Sequence, residues 1–281
     1  MQQVNDMTET ATISHKKSLS DTQIQLSVLA IALLGLCLRL VGLASIPFSA
    51  GEAQAAWQAL LVARDLPVET AVNAAYQGLT AGTFALMQAN TFWARFWPAL
   101  AGASLALVPL FWRRRLSPFL TLGLALALVL DPVLFILSRQ ADSVIFVLAG
   151  LVWALSFFIA GKLVGVGVAL AVALLGGPWA WAVLLLLLIA LGIAYFINKA
   201  ALKEFASSLL NICPLRKSPA KFALSFVLTL LLLSTSFGLD PAGISGIAGG
   251  LSAFLQKGFS TSQFPAWTPI YRWAAYSMCP L

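Results

Sequence analysis

Charge is what this sequence has least of. Asp, Glu, Lys and Arg make up 10% of its 281 residues, against roughly 25% in a soluble domain. A soluble surface for a chain this long cannot be built from so little charge. Histidine occurs once, as His15 in the N-terminal tail, and the three cysteines, Cys37, Cys213 and Cys279, have no metal-ligand spacing. A metal cluster is therefore not expected. No Gly-rich loop follows a strand, which argues against a nucleotide site. A net charge of +7 would suit nucleic acid, yet the bases are spread through short connections, the pattern of membrane topology, and no nucleic-acid partner is expected.

Apolar sequence fills the space. Hydrophobic residues make up 60% and mean hydropathy is +0.91, and several stretches run about 18 residues without charge, enough to cross about 30 Å of hydrocarbon. The expected fold class is all-α, a polytopic transmembrane helical bundle of about seven spans. These fall at 24–45, 96–112, 119–137, 143–161, 163–176, 178–197 and 222–239, with the fifth short and parted from the sixth at Gly176-Gly177-Pro178. Residues 1–23 form a polar tail without a cleavage site, so the first helix acts as the insertion signal. Ser20-Asp21 is placed to cap that helix.

Basic residues set the orientation. Lys16, Lys17, Arg113, Arg114, Arg115, Lys162, Lys199, Lys203, Arg216, Lys217 and Lys221, eleven of the 17 bases, lie on one set of connections. The positive-inside rule puts that set and the N-terminus in the cytoplasm of a cell-membrane protein. The transmembrane domain then covers 24–240, with a long external connection at 47–95. An odd number of spans leaves 241–281 outside; it is Gly-rich and then aromatic, which suits an interfacial or re-entrant segment.

Five polar positions stand out. In the external connection, Ala53, Ala56, Trp57, Leu60 and Leu61 recur at helical spacing and predict a short amphipathic helix on the interface. Glu52 opens it, either as the acid of a Ser49-x-x-Glu52 capping box or as an acid at the mouth of a cavity. Arg139 and Asp142 mark a tight turn between spans three and four, where an i, i+3 ion pair is a sufficient structural account. Asp131 falls inside the third span beside Pro132, and Arg39 inside the first. An ionisable group at such depth is a functional-site candidate by default. The alternatives are a wet kink at Pro132 and, for Arg39, snorkelling or a buried acid partner.

Four stretches in order carry a likeness. They are Leu38-Arg39-Leu40-Val41-Gly42-Leu43 running through Ile46-Pro47-Phe48-Ser49 to an acid that opens a helix; Tyr76-Gln77-Gly78-Leu79-Thr80-Ala81; Phe92-Trp93-Ala94-Arg95-Phe96-Trp97-Pro98-Ala99-Leu100-Ala101-Gly102; and Leu130-Asp131-Pro132 with Ser138-Arg139-Gln140-Ala141-Asp142. Over residues 24–160 the chain resembles the N-terminal half of the polyprenyl-phosphate-dependent membrane glycosyltransferases of the GT-C class, the protein mannosyltransferase and aminoarabinose transferase type (glycosyltransferase family 39).

The resemblance implies transfer of a sugar from a polyprenyl-phosphate donor on the outer membrane face. Glu52 matches the second acid of the family's Asp-Glu pair and Asp142 the acid of the second external turn, giving the catalytic candidates. Arg95 and Arg139 match nearby arginines and, with Arg64, are candidates for the donor phosphate. Residues 76–81 resemble the family's extended segment ahead of a short helix. No cofactor is specified beyond room for a divalent cation; the lipid-linked sugar is the donor substrate and membrane lipid the surroundings. Gly51 stands where the family has its leading aspartate, and family members continue through further spans. A second expectation is therefore a catalytically inactive GT-C-like subunit, a scaffold or lipid-binding partner in a larger complex whose membrane-protein partner completes the fold.

Overall fold

A computed structural model of the chain describes residues 20–68, 73–113, 115–199 and 219–259. The polar tail to residue 19, Glu69, Arg114, Lys203, Arg216, Lys217, Cys213, Cys279 and the aromatic stretch from residue 260 lie outside them.

Among the described residues the chain is helical and has no strand. Helix α1 (Asp21–Leu40) starts at Ser20, whose Oγ accepts from the Gln23 N–H at 3.3 Å while the Gln23 side chain returns the bond to the Ser20 N–H at 3.0 Å, a reciprocal cap. Next come α2 (Ala50–Ala63) and α3 (Ala74–Leu86). Helix α4 (Thr91–Ser104) runs through a 3-10 turn, Leu105–Leu107, into α5 (Val108–Trp112). They are followed by α6 (Pro118–Leu130), α7 (Pro132–Ser138), α8 (Val144–Ile159), α9 (Leu163–Leu174), α10 (Pro178–Ile197), α11 (Pro219–Ser234) and α12 (Gly246–Phe259).

Three of these are long and apolar enough to cross a membrane: α1, the continuous Thr91–Trp112 unit, and α10. A fourth forms if α6 and α7, bent by 53° at their junction, count as one span. The apolar helices α8, α9 and α11 are shorter, at 16, 12 and 16 residues, against about 20 for a straight crossing. Each expected span thus falls on a helix. The expected split before Pro178 is present: Gly177, at φ 74° and ψ −141°, turns the chain before Pro178 opens α10, a backbone only glycine adopts without strain.

Small residues let the short helices approach closely. An added Cβ on Gly150 of α8 would lie 2.7 Å from the Ala169 carbonyl of α9, and one on Gly167 of α9 would lie 2.8 Å from the Phe222 carbonyl of α11. Such close packing replaces the hydrophobic drive that lipid cannot supply.

The 47–95 connection holds two helices rather than one. Helix α2 buries Ala55, Ala56, Ala59 and Val62, while Trp57 is 58% exposed and Ala53 is exposed. The expected apolar stripe is therefore rotated: Ala55, Ala59 and Val62 join Ala56 on the protein side, and the large Trp57 faces out. Residues 76–81, expected as extended, lie inside α3. The Ala75 N–H pins the start of α3 to the Leu175 carbonyl at 2.9 Å, and Gly78 sits against the backbone of Leu233 in α11. The largest core cluster lies under these two helices, between α4 and α8, and is rich in alanine with Tyr76, Leu105, Ile145 and Phe146 among it.

Proline inside a helix orphans the carbonyl four residues back, and twice a distant side chain repairs the gap. Pro98 lies inside α4, and the Tyr76 hydroxyl donates to the Ala94 carbonyl at 3.0 Å. Pro132 follows the α6–α7 break, and Arg39 Nη2 donates to the Leu128 carbonyl at 3.5 Å. Burial pushes the Tyr76 phenol above its ordinary pKa.

Candidate functional site

Glu52 and Arg95 meet across 43 residues of sequence, their side chains 10% and 1% exposed. Arg95 Nε donates to Glu52 Oε1 at 2.9 Å and Nη2 to Oε2 at 3.1 Å, a bidentate pair. The other guanidinium protons go to backbone: Nη1 to the Leu43 and Ile46 carbonyls at 3.0 and 2.7 Å, Nη2 to the Pro47 carbonyl at 3.1 Å. All five donors are used. The Arg95 guanidinium also lies 4.9 Å from the Phe48 ring centre.

Glu52 is equally occupied. Oε1 also accepts from the Ala141 N–H at 2.9 Å, and Oε2 from the Ser49 N–H at 3.0 Å. The Ser49 Oγ in turn accepts from the Glu52 N–H at 3.3 Å, closing a capping box. Burial pushes the Glu52 carboxyl up; the hydrogen bonds from Arg95, Ser49 and Ala141, with the Arg95 charge, more than reverse this and hold it below the ordinary carboxylate value. A carboxylate with every lone pair engaged and a depressed pKa is a poor proton acceptor. Geometrically it is a four-way tie holding the α1–α2 turn, the α2 cap, α4 and the α7–α8 turn together.

Beside this tie lies a cavity of about 840 Å³, within the size range of small-molecule sites. The first half of α2 with its cap lines it through Ser49, Gly51, Gln54 and Gln58; the α7–α8 turn adds Gln140 and Asp142; α10 adds Trp179, and α12 adds Phe254. An added Cβ on Gly51 would meet nothing within 4 Å, so position 51 opens into free space. No lysine or arginine is among the described lining residues. The starts of α2, α3, α8 and α10 are gathered here through Ser49, Asn73, Asp142 and Pro178, so the partial positive charge of four helix ends collects at the cavity, where of the two described lining acids Glu52 is ion-paired and Asp142 is not.

Asp142 Oδ1 accepts from the Ser143 N–H at 2.6 Å and, at 3.4 Å, from Ser143 Oγ, which also sits 2.9 Å from the Gly176 carbonyl. Among the described residues Oδ2 carries no hydrogen bond. The expected Arg139–Asp142 ion pair does not form. Arg139 turns to the other flank, where Nη1 donates to the Leu38 carbonyl at 3.3 Å and the guanidinium lies 5.3 Å from the Phe135 ring centre. The helix break before it sends consecutive side chains to opposite flanks. Arg64 is exposed at the far end of α2. Thus of the three candidate phosphate arginines, Arg95 is spent on Glu52, and Arg139 and Arg64 do not line the cavity.

The two intramembrane candidates lie away from the cavity and have partners in their own surroundings. Asp131 caps α7, accepting from the Leu134 N–H at 2.8 Å. Arg39 neither snorkels nor meets an acid among the described residues. It is fully buried, with Nε donating to Ser138 Oγ at 2.9 Å, Nη1 to the Gly35 carbonyl at 3.1 Å, and Nη2 to the Leu128 carbonyl described above. Among the described residues no group of His, Cys, Asp and Glu could hold a metal.

The structure brings Glu52, Arg95 and Asp142 together and leaves Arg39, Asp131, Arg139 and Arg64 elsewhere. Gly51, Gln54, Gln58, Trp179 and Phe254 as one wall had no sequence signal, being up to 203 positions apart. No family model, no curated protein and no solved structure matches this chain.

Proposed function

We propose that this chain is a catalytically silent GT-C-like membrane subunit, a scaffold or lipid-binding partner within a larger membrane complex. One observation carries the reading: both Glu52 oxygens are fully engaged in the Arg95 tie, while position 51 beside it, open to the cavity, is glycine. The acid that would do chemistry is absent and the acid that is present is structural. Support for the class comes from the pair of helices that follows α1 in the chain, α2 and α3 packed on each other with α3 against α4, and from the repair of both prolines by residues of the resembling stretches. In this reading α1, α4–α5, α6–α7, α8, α9, α10 and α11 form seven spans with the N-terminus in the cytoplasm and the cavity at the outer end. Co-purification in mild detergent tests it: a stoichiometric membrane partner is expected, and a monodisperse monomer that turns over a polyprenyl-phosphate sugar contradicts it.

Asp142 favours a second reading, an active glycosyltransferase. It lines the cavity and its Oδ2 carries no hydrogen bond among the described residues, which suits it to take the proton of an acceptor hydroxyl. The hydroxyl oxygen would then bond the sugar's anomeric carbon as the bond to polyprenyl phosphate breaks. The leaving phosphate would meet helix N-termini but no cationic side chain of the described lining, whereas such transfers rely on fixed positive charge. Asp142→Asn abolishing release of polyprenyl phosphate by wild-type-like protein would establish this reading over the first.

A further inference from the structure

Far from the cavity, one end of the bundle gathers positive charge. Helices α5, α8, α9 and α11 pack side by side in that order. Arg113 and Arg115 follow α5, Lys162 stands between α8 and α9, and Lys221 lies in the first turn of α11. Contacts place all four at a common end. Lys162 Nζ lies 5.0 Å from the ring centre of Phe111 in α5, and that ring meets Trp153 and Phe157 of α8 at 5.3 and 5.2 Å. Gly167, early in α9, lies against the Phe222 carbonyl beside Lys221.

Among the described residues no acid answers this charge. None of the four bases is in an ion pair, and α5, α8, α9 and α11 contain no Asp or Glu. Asp21, at the start of α1, pairs with no base either. The turn carrying Lys162 is held in place. Gly161, at φ 71°, ends α8, with its N–H donating to the Phe158 carbonyl at 3.0 Å and the Lys162 N–H to the Phe157 carbonyl at 2.8 Å, a closed helix terminus. No side chain caps the first turn of α9, so its N–H groups add partial positive charge beside Lys162.

Bases at this end also serve to orient a chain in the membrane, but orientation depends on their number and not on a fixed row. The surroundings of this row narrow what it meets. Along its own helix Lys162 is followed by exposed Val164 and Val168, and Lys221 by exposed Leu224 and Leu228, while Phe119 and Leu120 are exposed just after Arg115. A soluble polyanion has nothing to place on these apolar side chains; a phospholipid has its acyl chains. We infer that Arg113, Arg115, Lys162 and Lys221 seat an anionic phospholipid, its phosphate beside Lys162 at the start of α9 and its chains along the apolar residues of α9 and α11. Basic clusters between spans on the cytoplasmic side hold anionic headgroups in this way, and in the proposed topology this end is cytoplasmic. The seat goes beyond the proposed function and holds whether or not the cavity catalyses.

Native mass spectrometry of the full chain in a neutral detergent tests it, by the dissociation constants of phosphatidylglycerol and phosphatidylcholine carrying identical acyl chains. Wild type binds phosphatidylglycerol about tenfold more tightly. Arg113→Gln with Lys162→Gln removes most of that preference. Lys199→Gln takes the same charge from outside the row, where Lys199 lies over Tyr195 of α10, and leaves the preference intact. Excess inorganic phosphate does not displace the bound lipid. Equal binding of the two lipids by wild type overturns the seat, as does a preference that survives the double variant, falls equally in Lys199→Gln, or yields to inorganic phosphate. Where the double variant fails to fold, Lys162→Gln alone, at an exposed position, takes its place and lowers the preference about threefold.

Discussion

Glu52→Gln separates a tie from a catalyst. The substitution keeps the side chain's length and leaves an oxygen to accept, yet it removes the one charge facing Arg95, which is 1% exposed. Breaking one side of a buried pair leaves an uncompensated charge and costs about 3–5 kcal/mol. The Ser49 and Ala141 N–H groups lose their charged acceptor as well, so the upper part of that range applies. At about 2–4 °C per kcal/mol for domains of comparable size, the melting temperature in detergent falls by about 10 °C. Removing both partners, Glu52→Gln with Arg95→Met, abolishes the charge problem but strips donors from the Leu43, Ile46 and Pro47 carbonyls. The double variant is therefore less damaged than the sum of the singles, with a coupling of about 2–3 kcal/mol. The assay is thermal unfolding of all four proteins followed by tryptophan fluorescence. Unchanged melting in Glu52→Gln, or strict additivity of the two changes, would refute the tie.

The same pair sets an acid response. Glu52 is held below its ordinary pKa in the folded state, so its stabilisation is complete above the ordinary carboxylate value and is lost as pH falls through the lower, folded value. The melting temperature should drop on acidification in wild type, and Glu52→Gln should lose that part of the slope. Tyr76→Phe leaves the Ala94 carbonyl, orphaned by Pro98, without a donor; chemical denaturation should show a loss of about 1–3 kcal/mol. Gly51→Asp adds a side chain into open space, so melting should shift by less than about 2 °C, within the usual range for changes away from packed features.

Much of the fold was legible in the sequence because apolar runs announce helices directly, and each expected span coincides with one. The first connection was harder. Helix α3, Ala-Ala-Tyr-Gln-Gly-Leu-Thr-Ala-Gly-Thr-Phe-Ala-Leu, carries two glycines and two threonines, poor local helix signals; its helicity comes from packing on α2, α4 and α11. In α2 a hydrophobicity scale ranks Trp57 above Ala55 and Ala59, yet the two alanines are buried and Trp57 is exposed. At the site, the Ser49–Glu52 cap could be read locally, since its partners are three residues apart. The Arg95 partnership could not, since nothing local distinguishes an arginine that meets phosphate from one that meets a carboxylate. An unpaired acid and base in so apolar a connection were the available hint. Arg39 is hard to place for a related reason: charge suggests a counter-charge, whereas here the Leu128 carbonyl exposed by a proline break, the Gly35 carbonyl and the Ser138 hydroxyl take that place.

Release of polyprenyl phosphate from a polyprenyl-phosphate sugar, measured for wild type and Glu52→Gln side by side well below both melting temperatures, tests the central claim most directly. Glu52 as a structural tie in a catalytically silent subunit predicts no release from either protein and a large loss of thermal stability in the variant. Turnover by wild type that vanishes in a Glu52→Gln protein of unaltered stability would contradict it.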